Sequence, residues 1–171
     1  MPVDLENLPI GANAPEVVNV VVEVPVGSRN KYEYRADLQV MVRDRVLPGA
    51  VRYPADYGFV PSTEASDGEP VDIILAAYDP AFPGCVLQAY PIGVLDMRDA
   101  SGEDRNVLAV PADDPRFADI RRHTDLPRQN LQEIRDFFEV YKRLEGDLDV
   151  EIRGWLDRED AQDLIRAAAR D

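Results

Sequence analysis

Apolar residues along this chain change their spacing several times, and each change marks an element. From Val17 to Pro25, the residues Val17, Val18, Val20, Val21, Val22 and Val24 form a β-branched run that predicts a buried strand. Glu23 interrupts the run. Side chains alternate in a strand, so Glu23 faces away from Val22 and Val24 and must meet water or a polar site. Lys31–Arg35 and Val40–Val46 flank the polar turn Ala36-Asp37-Leu38-Gln39 and predict a hairpin. Period two puts Lys31, Glu33 and Arg35 on one face of its first strand, and Arg43 and Arg45 on one face of its second.

Further strands are predicted over Val71–Ala77, Val86–Met97, Val107–Val110 and Leu148–Leu156, with Pro91 and Gly93 marking a bend or bulge in the longest. Leu131, Ile134, Phe137, Phe138, Tyr141 and Leu144 follow helical spacing, with Pro127 in the first turn and Gly146 as terminator. A second helix is predicted over Glu159–Ala169, with Leu164, Ile165 and Ala168 on one side and Asp157 available as its cap. Many short strands followed by helix, strand and helix predict a mainly β, α+β fold: a closed or partly open β-barrel with two helices packed on it. With 171 residues and no repeat, low-complexity tract or linker, residues 1–171 are expected to form a single domain.

Composition then removes whole classes of function. A formal net charge of -14 argues against a duplex-binding module, which must neutralise phosphates with its own cations. The same charge, with no basic groove carrying stacked aromatics, argues against a barrel that binds single-stranded nucleic acid. One cysteine, Cys85, and one histidine, His123, leave no intramolecular disulfide and too few soft ligands for structural zinc. His123 lies in the polar run Arg121-Arg122-His123-Thr124 and reads as a solvated loop histidine. Met1–Pro15 lacks the pattern of a secretory leader, and no window approaches the roughly 18 apolar residues of a membrane span. A cytoplasmic location without membrane association is expected.

Two acidic turns could carry chemistry. Ser66-Asp67-Gly68-Glu69-Pro70-Val71-Asp72 gathers carboxylates around a Gly and a Pro just before an apolar strand, either as a charged hairpin tip or as hard oxygen ligands for Mg²⁺ or Mn²⁺. The second, Asp99-Ala100-Ser101-Gly102-Glu103-Asp104, lacks the spacing of a calcium loop. The cations add to the picture. Of 19 basic residues only Lys31 and Lys142 are lysines, each beside a tyrosine, so Arg is the default cation and Lys the exception. A compact ammonium suits phosphate oxygens where the planar fork of Arg does not fit, although chance placement would give the same count.

Together these segments resemble the soluble family I inorganic pyrophosphatases over nearly the whole chain. The family signature Asp-x-Asp-Pro-x-Asp is matched by Asp67-Gly68-Glu69-Pro70-Val71-Asp72. Glu23-Val24-Pro25, Lys31-Tyr32-Glu33, Asp44-Arg45, Tyr53-Pro54, Tyr57-Gly58, Asp99 through Asp104, and Phe137-Phe138-Glu139-Val140-Tyr141-Lys142 follow the family in order and spacing. The resemblance implies a five-stranded oligonucleotide-binding-type (OB-type) closed barrel with flanking helices. It also implies a Mg²⁺-dependent hydrolysis of pyrophosphate to two orthophosphates by a metal-activated water, and assembly as a homohexamer. By the same resemblance, Asp67, Asp72, Asp99, Asp104, Glu33 and Glu23 would serve the metals. Lys31, Arg45, Tyr141, Lys142, Glu33 and Tyr53 would bind pyrophosphate or phosphate, and Glu69, Asp67 and Tyr57 would serve the reaction itself.

Three positions depart from the family pattern. Glu69 stands where the family has the Asp that contacts the nucleophilic water, Asn106 where it has a Lys, and Ala100 where it has an acidic residue. A head group displaced by about 1 Å can cost on the order of 10²-fold in rate, and a lost electrostatic donor a similar factor. The expectation is a working hydrolase with reduced turnover or altered metal preference. The alternative is a relative that binds metal and phosphate but has lost catalysis.

Overall fold

The computed structural model describes residues 3–170; Met1 and Pro2 of the N-terminal stretch considered above lie outside the described residues. Eight strands form, β1 (Val18–Val24), β2 (Asn30–Arg35), β3 (Val40–Val46), β4 (Asp56–Val60), β5 (Val71–Leu75), β6 (Val86–Asp99), β7 (Gly102–Pro111) and β8 (Glu151–Leu156), with helices α1 (Arg128–Leu144) and α2 (Arg158–Ala168). Six strands lie in one sheet in the order β1-β4-β5-β7-β6-β8, and a further β1–β6 pairing closes five of them into a ring with β8 attached outside. The expected five-stranded closed ring is therefore present, as a mainly β fold with two helices. β2 and β3 form a separate two-stranded sheet, the predicted hairpin.

The ring is apolar on both faces of β5, where Ile73 and Leu75 join a cluster containing α2 residues Ala161 and Ile165. Ile74 joins instead the cluster built on α1 residues Ile134, Phe137, Phe138 and Tyr141. Burial on both sides explains why Val71–Leu75 reads as a continuous apolar run rather than an alternating one. Pro127 stands at the N-cap of α1, and Asp157 caps α2 by accepting from the backbone while Asp160 returns a bond to the Asp157 N–H at 3.1 Å.

Three differences from the sequence reading have physical causes. β4 was not predicted, because Gly58 and the neighbouring Pro54 resemble loop punctuation. Gly58 is required instead by close approach, since a Cβ there would lie 1.9 Å from the Val21 carbonyl oxygen of β1. β7 begins at Gly102 rather than Val107, its polar first half paired with β6 through the hairpin from Asp99 to Gly102. His123 is not a solvated loop residue: its side chain is only 13% exposed and its ring stacks on Trp155 at 6.3 Å. The expected bulge in β6 is present, as a register shift between Pro91 and Gly93.

Candidate active site

The two acidic turns meet because β5 and β7 run side by side in parallel, with Ile73 opposite Val107. Asp72 at the start of β5 and Asp104 and Asn106 on β7 are thereby drawn to one end of the ring. Asp67, Asp72 and Asp104 line a cavity of about 820 Å³, whose walls also carry Glu64, Glu103, Asp160 and Asp163. The turn before β5 is closed by backbone bonds from Gly68 N–H to the Ala65 carbonyl (2.9 Å) and from Ala65 N–H to the Glu69 carbonyl (2.7 Å). Gly68 adopts a φ of 85° there, a region that favours glycine. Asp67 accepts the Glu69 N–H at 3.0 Å, while the Glu69 side chain is exposed and absent from the cavity lining.

α1 delivers the lysine of the second turn. Lys142 Nζ donates to Asp99 Oδ2 at 2.8 Å and to Asp104 Oδ2 at 3.0 Å. Burial disfavours the charge on Lys142, but Asp104, Tyr141 and Asp99 outweigh it and hold the ammonium protonated well beyond its ordinary range. Asp99 is held below the usual carboxylate range: burial pushes it up, and the Lys142 hydrogen bond and charge overcome that. On the other side, the Tyr57 hydroxyl donates to Asn106 Oδ1 at 3.1 Å, and Asn106 Nδ2 donates to Asp104 Oδ1 at 3.2 Å. Asn106 is 1% exposed, whereas Arg105 points the opposite way to pair with Asp96 at 3.1 Å, so it does not replace the missing lysine.

Tyr53, Tyr57 and Tyr141 pack into one aromatic group with Phe137 and Phe138, with Tyr53–Phe137 and Phe137–Tyr141 centroids 4.6 and 4.9 Å apart. Burial raises the hydroxyl pKa of Tyr53 and Tyr57 well above the ordinary value, so both keep their protons at neutral pH and can act as hydrogen-bond donors. The hairpin brings the remaining cations. Lys31 lies opposite Arg45 in the β2–β3 register and pairs with Glu33 at 3.4 Å. Arg45 is engaged by Asp44 and by Glu145 just beyond α1, with Nη2 to Glu145 Oε1 at 2.9 Å.

Glu23 joins hairpin to ring: its Oε1 accepts the Tyr34 N–H at 2.8 Å. Burial pushes its carboxyl up to about 8, the Tyr34 bond opposing and the charges of Asp72 and Glu33 adding to the rise. Asp72 is pushed up to about 7, first by burial and then by the charge of Asp104. Neither carboxyl has an ion-pair partner among the described residues. Two half-buried carboxyls without a paired cation, with further acidic oxygens nearby, are a donor set suited to a hard divalent cation. No group of three or more such side chains is closed into a metal cage among the described residues; Lys142 lies between two of them.

The inorganic pyrophosphatase family model matches residues 20–171, which is nearly everything the fold and the site are built from. The chain belongs to the inorganic pyrophosphatase family. It is 48% identical over 166 residues to the inorganic pyrophosphatase of Thermus thermophilus, covering 96% of this chain and 95% of the relative. To that of Haloferax volcanii it is 45% identical over 163 residues, covering 95% and 92%. The crystal structure of inorganic pyrophosphatase from Thermus thermophilus superimposes with a TM-score of 0.94 at 47% identity, covering 97% of both chains. Within this family frame, sequence reasoning missed Glu145, which holds Arg45, and Asp160 and Asp163, which extend the acidic cavity along α2. The one available signal for the latter pair was their i, i+3 spacing on a helix face.

Proposed function

We propose that this chain hydrolyses inorganic pyrophosphate to two orthophosphates, with Mg²⁺ as its cation and Mn²⁺ as a substitute. The observation that carries this is the convergence of Asp67, Asp72 and Asp104 on one cavity, with the Lys142 ammonium already bonded to Asp104. Asp67, Asp72, Asp99 and Asp104 would hold the cations, supported by Glu23 and Glu33. When bound, divalent cations supply Lewis acidity and reverse the local sign, so that an anionic substrate can enter an acidic cavity.

The chain's own groups then divide the work. Lys31, Arg45 and Lys142 neutralise phosphoryl oxygens, and the Tyr53 and Tyr141 hydroxyls orient them by donating hydrogen bonds, while Tyr57, whose hydroxyl proton goes to Asn106, stands beside the metal-binding carboxylates. Arg45 exchanges Glu145, and Lys142 exchanges Asp99, for substrate oxygens. Asp67 and Glu69 at the loop tip orient the attacking water and accept its proton at a carboxylate oxygen. The same reading includes a cytoplasmic homohexamer; among the described residues no helix is long and apolar enough to cross a membrane.

Phosphate release from pyrophosphate by the purified protein, with Mg²⁺, Mn²⁺ or no metal, tests the proposal beside an Asp72→Asn variant. Metal-dependent release that the variant loses is the expected result. A folded protein inactive with every metal would overturn it in favour of the binding-only relative.

A further inference from the structure

Asn106 has a neutral side chain, is almost fully buried, and bridges two groups of opposite hydrogen-bonding character. Its position follows from the strand register. Asp104 and Asn106 are two residues apart on β7 and so share a face. Asp72 on β5 neighbours them through the parallel pairing that puts Ile73 opposite Val107. Tyr57 on β4 reaches the same point from the other side, diagonal to Asp72, which lies opposite Phe59.

Hydrogen-bonding capacity then fixes a direction. An ionised carboxylate only accepts, so Asn106 must turn its NH₂ toward Asp104 and its carbonyl toward Tyr57. A carbonyl also only accepts, so the Tyr57 hydroxyl must donate its single proton to Asn106. The same hydroxyl belongs to a diagonal neighbour of Asp72 across the β4–β5 pairing, on the same face, and a phenol cannot donate twice.

We infer that Asn106 is a positioning residue: it draws the Tyr57 proton away from Asp72 and leaves the Asp72 oxygens free for a divalent cation. The inference rests on the metal reading above and concerns a residue to which that reading gave no role. A donor-only side chain at this position would do the reverse, since it would bond to the Tyr57 oxygen and release the Tyr57 proton to Asp72.

The test is a double-mutant cycle read by calorimetric titration of Mg²⁺ into substrate-free protein, using the unaltered chain, Asn106→Leu, Tyr57→Phe and the pair. Asn106→Leu frees the tyrosine proton for Asp72 and is expected to weaken Mg²⁺ binding about ten-fold, the scale of one hydrogen bond to a charged group. In the Tyr57→Phe background there is no proton to redirect, so the same substitution should change binding less than about two-fold. In the activity assay, the Mg²⁺ concentration for half-maximal rate should rise while the rate at saturating Mg²⁺ falls much less; a packing defect would lower the rate at every Mg²⁺ concentration.

Equal losses in both backgrounds would overturn the inference while sparing the metal reading, as would no loss in either. No Mg²⁺ binding by the unaltered chain would overturn both. If Asn106→Leu does not fold by circular dichroism, Asn106→Ala carries the same cycle with the same expected outcomes.

Discussion

The Lys142 ammonium lies 2.8 Å from the Asp99 carboxylate, and in that position it does electrostatically what a bound cation would do. An ammonium and a divalent ion therefore compete for Asp99 and Asp104. Replacing Lys142 by Met should tighten Mg²⁺ binding to the substrate-free protein by about ten-fold, since a competing cation is gone. It should also lower metal-free stability by about 1–3 kcal/mol, because the paired carboxylates lose their counter-charge. Calorimetry and thermal melts with and without Mg²⁺ measure both, and unchanged affinity would show that Lys142 does not compete.

Stability without metal should fall as pH rises. Glu23 and Asp72 have folded-state pKa values of about 8 and about 7, above their unfolded values. Between about pH 4 and pH 8 the folded state thus binds more protons than the unfolded state, and the sign of the linkage makes unfolding easier with each step up in pH. The stabilising contribution is complete below the unfolded values and lost as pH passes the folded ones. Melting temperature in a chelator should decline from pH 5 to pH 8.5. Mg²⁺ should flatten the decline, and Glu23→Gln should remove part of it. A melting temperature that rises across this window would refute the assignment.

Glu69 is exposed and its carboxylate does not line the cavity that Asp67 and Asp72 share. Shortening it by one methylene brings the head group nearer the backbone that Asp67 anchors through the 3.0 Å bond to the Glu69 N–H. Glu69→Asp is expected to raise kcat about ten-fold with little change in KM, consistent with the cost of a misplaced reacting group. Steady-state kinetics decide it, and a lowered kcat would show that the longer carboxylate is the better fit here.

Gly58 admits no side chain. A methyl group at that position would fall 1.9 Å from the Val21 carbonyl oxygen, which is backbone and cannot swing aside. Gly58→Ala should cost about 3 kcal/mol or more, a loss of roughly 6–12 °C in Tm, and should reduce activity by moving the adjacent Tyr57. A thermal melt within 2 °C or so of the unaltered protein would refute the close approach.

The sequence was most legible where one residue decides the outcome locally. Val40–Val46 was bounded correctly by its turn, Asp157 was recognised as a cap, and Glu23 stood out as a charge in an apolar strand. β4 was illegible because its defining feature, the approach of Gly58 to β1, depends on a residue far away in sequence. Asp67, Asp72 and Asp104 come to the lining of one cavity through the parallel pairing of β5 and β7, a convergence that lies in the register and not in any one motif. The bonding of Asn106 could not be read, since it needs three strands in register at once; from the sequence it was only a missing positive charge. His123 misled because its polar neighbours hide the Trp155 ring against which it packs.

Ring closure also sets an order of assembly. Val18 pairs with Ala89, and Ile73 with Val107, so a chain emerging from the ribosome can neither seal the ring nor align its two acidic turns until β6 and β7 are available. Lys142 arrives later still. During synthesis, cation affinity should therefore appear abruptly and late, as a property of the completed topology rather than of any nascent segment.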